Sequence, residues 1–158
     1  MELPDPVAYA VQPLFDALPL DRAMVELLPG EGAGEQYTAL VRSALRQAPI
    51  AGNLPLHAAL WLYVDELDRS HEISQNIKDA TGSYWHGIMH RREGDFSNSH
   101  YWFTRAGIHP AMLALPGYDG HALVDEVAAV RPANPPEVLR KQRDEWASLF
   151  AWCARQRP

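Results

Sequence analysis

At 158 residues, with 47% hydrophobic and 22% charged residues, the chain has the size and make-up of one globular domain spanning 1–158, large enough to bury a core without covalent staples. Its net charge of −6 leaves no basic stripe to neutralise phosphates, which excludes nucleic acid as an expected partner. The single cysteine, Cys153, excludes an internal disulfide; no apolar run approaches the ~20 residues of a membrane span; and "MELPDPVAYAVQ" lacks the basic-then-apolar pattern of a signal peptide, so a cytoplasmic location is expected.

Thirteen prolines and ten glycines cut the chain into short blocks. The blocks have helical periodicity, and none alternates as a strand does. "LDRAMVELL" (Leu20 to Leu28) reads as a helix with Asp21 as N-cap, stopped by Pro29-Gly30. "GEQYTALVRSALRQAP" places Tyr37, Leu40, Val41, Ala44 and Leu45 on one face and ends before Pro49. "NLPLHAALWLYVDELDRSHEISQNI" predicts one long helix, Asn53 to Ile77, capped by Asn53 with Pro55 in its first turn. At 100° per residue, Leu60, Val64, Leu67 and His71 fall in its apolar sector, while Asp65, Arg69, Glu72 and Asn76 fall opposite, on the solvated face.

After "ATGS", Tyr84 to Glu93 reads as a short helix with Ser83 as cap. Gly94-Asp95 turns, "SNSHYWFTRA" is the next helix, closed by Gly107, and the loop "GIHPAMLALPGYDG" follows. Asp119 is placed to cap "GHALVDEVAAV". The last helix opens at "NPPE", with Asn134 as cap, Pro135 in the first turn and Glu137 as capping carboxylate. Its apolar stripe is Leu139, Trp146, Leu149, Phe150 and Cys153, the last read as a small core residue. The expected fold class is all-α: a compact single-domain array or bundle of six to eight helices.

The chemistry gathers in Tyr84 to Glu93. His86 and His90 are four residues apart, hence one turn apart on one helix face, and Glu93 follows three residues later in the same sector. Two imidazoles at this spacing can chelate one divalent cation, and a neighbouring carboxylate can be a ligand, an orienting partner or a general base. The pattern is not His-Glu-x-x-His, because Gly87 stands where that glutamate would be. The short connection Lys78 to Gly82 makes the preceding helix an antiparallel neighbour. That helix presents His71 opposite His86, and Asp68 one turn earlier, within reach of His90.

The expectation is therefore a His/carboxylate site between two antiparallel helices. His86, His90 and His71 would be the metal ligands, and Glu93 and Asp68 the catalytic carboxylates. Zinc, iron, copper and nickel all accept imidazole. An open coordination position would suit metal-activated hydrolysis of a small-molecule substrate, or oxygen chemistry at iron or copper.

The other polar residues have plainer expectations. Arg91 and Arg92 read as a solvated face near a helix C-terminus, with an anion clamp as the alternative. His57 and His121 read as surface residues, His100 sits amid Tyr101, Trp102 and Phe103, and His109 is placed to close over a pocket. Ser99 and Ala106 flank Phe103 at helical spacing, with Gly94 in the turn before them. This resembles the second half of a tetratricopeptide hairpin, with no second copy at about 34 residues. An interaction module with structural histidines is thus the alternative function.

"YWHGIMHRREGDFSNSHYWFTRAGIHP", Tyr84 to Pro110, also resembles the signature of an uncharacterised family of small soluble bacterial and fungal proteins. In that family Trp-His, His-Arg, an acidic turn, an Asn and Tyr-Trp-Phe precede a His-Pro. "DELDRSHEISQ" resembles the family's preceding segment. The resemblance implies that these stretches act as a unit and assigns no function.

Overall fold

The computed structural model describes residues 1–156. The described residues form ten α-helices and no strand: α1 Asp5–Ala17, α2 Glu35–Leu45, α3 Ala48–Ala51, α4 Leu54–Tyr63, α5 Leu67–Ser74, α6 Ala80–Glu93, α7 Phe96–Ala106, α8 Pro110–Leu113, α9 Gly120–Val130 and α10 Pro136–Arg155. The fold class is all-α, with more helices than the six to eight expected. Two of the extra elements are single turns, α3 and α8, each opened by a proline in its first turn. Another arises because the long block from Asn53 to Ile77 divides. No helix among the described residues is long and apolar enough to cross a membrane.

The division occurs at Asp65. Asn53 does cap α4, accepting from the Leu56 N–H, but that helix ends at Tyr63. Asp65 takes a left-handed conformation, φ 61°, and α5 starts afresh at Leu67. A non-glycine residue is rarely found there, and aspartate is among the few types that tolerate it.

Three other starts differ from expectation. Leu20 to Leu28 forms turns rather than a helix, with Met24 at φ 49°. Its backbone is committed elsewhere: the Ala23 carbonyl accepts from Arg143 and the Leu27 N–H donates to Asn134 Oδ1. Asn134 therefore pins that loop instead of capping α10, where Pro135 holds the cap position. The helix expected from Tyr84 begins earlier, because Asp79 rather than Ser83 caps it, accepting from the Gly82 N–H at 2.9 Å. Ser83 bonds back to the Asp79 carbonyl.

The core is aromatic around α10. Trp146 stacks on Phe150 at 4.7 Å and tilts against Tyr63 at 4.8 Å, and the expected stripe of α10 is buried throughout. Burial pushes the Cys153 thiol up to about 12, so this residue is an inert part of the packing.

Helix α6 runs through the middle. Every residue from Thr81 to Arg92 is buried. Ser99 of α7 donates to the Gly87 carbonyl at 2.7 Å, and the absence of a side chain at Gly87 lets Phe103 lie against the helix, since a Cβ there would sit 3.0 Å from its ring. Arg91 and Arg92 are not solvated, as the local pattern suggests, but fully buried. Arg91 makes a two-pronged ion pair with Glu145 of α10. Arg92 pairs with Asp65 at 2.6 Å and donates to the Leu62 and Glu26 carbonyls. Buried guanidinium groups need this degree of satisfaction. The partners lie 54 and 27 positions away in the chain, beyond the reach of any local pattern.

Candidate metal centre

Histidines 86 and 90 occupy successive turns of α6, and their rings lie nearly parallel, 4.8 Å apart. His71 arrives from α5 and meets both edge-on, at 4.8 Å from His86 and 5.4 Å from His90. One ring nitrogen of each lies within 4.8 Å of those of the other two. A tetrahedral ion with bonds of ~2.0–2.1 Å separates its ligand nitrogens by about 3.3 Å. The three rings would need to draw in by no more than about 1.5 Å per pair.

His86 is 3% exposed. Its ring is stacked between Trp102, 4.0 Å away at 9°, and His90. Its Nδ1 is buried with no hydrogen-bond partner among the described residues. Burial first, then the neighbouring His90, His71 and Lys78, push its pKa down to about 3. The ring is thus neutral at ordinary pH, which is the form that ligates a metal. His90 lies 2.6 Å from Glu93 Oε1 through its Nδ1. With the ring neutral and the carboxylate ionised, Nδ1 donates and Nε2 keeps its lone pair. This is the carboxylate–histidine pairing that orients and polarises metal-bound imidazoles.

The two expected carboxylates part company. Glu93 touches the cluster through His90, whereas Asp68 is exposed in the first turn of α5 and lies outside the His71–His86–His90 group. Asp95 was not singled out by the sequence beyond its turn. It lies within 4.8 Å of ligand atoms of His90 and Glu93, and it also caps α7 by accepting from the Asn98 N–H. Its position after Gly94, at φ 87°, was the available signal, because a left-handed glycine folds the next residue back towards the helix end.

The remaining histidines have other work. His100 and His121 face each other Nδ1 to Nδ1 at 2.8 Å, with rings within 8° of parallel. His100 Nε2 lies 3.0 Å from Asp125. With both rings neutral, His100 donates to Asp125 and His121 donates to His100. His57 is bonded to the Ile50 carbonyl at 3.0 Å. His109 is buried rather than lid-like: Nδ1 accepts from the Ala111 N–H, Nε2 meets Thr81, and the ring packs on Trp152. Thr81 and Trp152 help line a cavity of about 440 Å³ with Asn53, Asp79 and Cys153. That cavity lies at the N-terminal end of α6 and does not include the three-histidine cluster.

Compared with known protein families, with curated proteins and with solved structures, the chain matches none.

Proposed function

We propose that His71, His86 and His90 hold one divalent transition-metal ion, with Glu93 orienting His90. The observation that carries this reading is the convergence of three imidazole nitrogens from two helices to within 4.8 Å. Two features support it. His86 is held neutral with an unpartnered buried nitrogen, and Glu93 fixes the tautomer that leaves His90 Nε2 available. Zinc, iron, copper and nickel all suit such donors.

Three protein ligands leave a coordination position open, the arrangement of catalytic rather than structural zinc sites. An ion held this way supplies a Lewis acid and an activated water, which favours a hydrolytic reaction; iron or copper would instead permit oxidation. Glu93, at the partly exposed edge of the cluster, is the residue placed to hold or pass a proton there. Asp68, away from the cluster, takes no part in this reading.

One observation favours a second reading, an interaction module with structural histidines. His86 stacks on Trp102 as any flat ring would. Metal analysis of protein purified without a histidine tag separates the two readings. Thermal shifts with zinc, iron, copper and nickel salts, on wild type and a His86→Ala/His90→Ala variant, complete the test. The metal reading expects bound ion or stabilisation in the wild type alone, because binding to the folded state adds RT ln(1 + [L]/Kd). A wild type that carries no metal and responds to none of the four salts sinks it.

A further inference from the structure

The ligand cluster exists only because the chain bends at Asp65. A straight continuation of α4 would carry His71 about 12 Å beyond Tyr63 along the axis, at 1.5 Å per residue. Instead the left-handed turn at Asp65 swings α5 against α6. The turn is gripped from α6 itself. Arg92, two residues after the ligand His90, is fully buried. Its Nη1 donates to the Leu62 carbonyl at 2.9 Å, on the α4 side of the bend. Its Nη2 donates to the Asp65 carboxylate at 2.6 Å, at the bend. On the far side, Ser70 ties α5 back to the Ala58 carbonyl at 2.9 Å, one residue before His71.

We propose that the Asp65–Arg92 pair is the positioning device of the metal centre, setting the seat of α5 on α6 and hence the approach of His71 to His86 and His90. This rests on the metal reading above. Neither residue touches the cluster's ligand atoms, so both act through His71. A buried ion pair is weak evidence for stability, because desolvation offsets much of the attraction; in some proteins such buried polar groups instead specify one geometry among several. Here the geometry fixed is the one that makes three histidines meet.

The test is a cycle of four proteins: wild type, Asp65→Asn, His71→Ala and the double variant. Asparagine tolerates the left-handed turn as aspartate does but removes the charge. Ni²⁺ affinity is measured by calorimetry well below each unfolding midpoint. Coordination is read from the visible spectrum of bound Co²⁺. Asp65→Asn is expected to weaken Ni²⁺ by about 10- to 100-fold, the effect typical of partners that orient ligands, and to move the Co²⁺ spectrum towards that of His71→Ala. In the His71→Ala background the same change should have little further effect, since the route through His71 is already gone. Asp65→Gly, which keeps the turn without any side chain, should behave like Asp65→Asn and serves if that variant folds poorly. Unchanged affinity in Asp65→Asn, or an equal loss with and without His71, overturns the proposal while leaving the metal reading standing. A wild type that takes up neither ion overturns both.

Discussion

Replacing Glu145 by leucine strands a charge in the middle of the protein. Glu145 and Arg91 are both completely inaccessible to solvent, and Glu145 also accepts from the Tyr118 hydroxyl. Removing one member of a buried pair typically costs about 3–5 kcal/mol. An orphaned hydroxyl adds about 1–3 kcal/mol. The two losses share one partner and will not add fully, so about 4–6 kcal/mol is expected. For a chain of this size each kcal/mol moves the midpoint by roughly 2–4 °C, which places the drop at roughly 8–24 °C. Paired thermal and urea unfolding followed by circular dichroism measures it. The companion variant is Arg91→Met/Glu145→Leu/Tyr118→Phe, which removes the three hydrogen-bonded polar groups together. It should return to within about 2 kcal/mol of wild type, because apolar replacements of similar volume are often neutral. A Glu145→Leu protein within 1 kcal/mol of wild type, or a triple variant no better than the single, would refute the reasoning.

Two further outcomes follow from the cluster. Because burial depresses the His86 pKa from 6.5 to about 3, the unfolded chain binds a proton that the folded one rejects across that window. Stability of the metal-free protein should therefore fall as pH drops from about 6.5 towards 3, at up to about 1.4 kcal/mol per unit from this residue, and His86→Gln should flatten that slope in urea melts at stepped pH. A slope unchanged by the substitution would show that the residue titrates alike in both states. Glu93→Gln should leave the unfolding midpoint nearly unmoved, since Glu93 is exposed, yet weaken metal about 10- to 100-fold in competition with a chelator; unaltered affinity would remove Glu93 from the site.

What could be read from the sequence was what depends on neighbours in the chain. The Asp119 cap holds, accepting from the His121 and Ala122 N–H groups, and the α10 stripe and the shared face of His86, His90 and Glu93 all follow from helical spacing. What could not be read depends on distant partners. Arg92 looks like a solvated helix end until Asp65 and Leu62 are brought to it. Asn134 looks like a helix cap until the Leu27 N–H competes for it. The bend at Asp65 interrupts a block whose apolar period gives no warning, because a single left-handed residue needs no glycine or proline when the carboxylate has a buried cation to meet.

The burial of Arg91 has a consequence for how the protein is made. Synthesis runs from the N-terminus, and Glu145 follows Arg91 by 54 positions. At ~5–20 residues per second, α6 exists for roughly 3–11 s before its counter-ion has been joined to the chain. During that interval the central helix cannot occupy its final surroundings without an uncompensated charge. Arg91 therefore reaches its final, paired surroundings only after α10 has joined the chain.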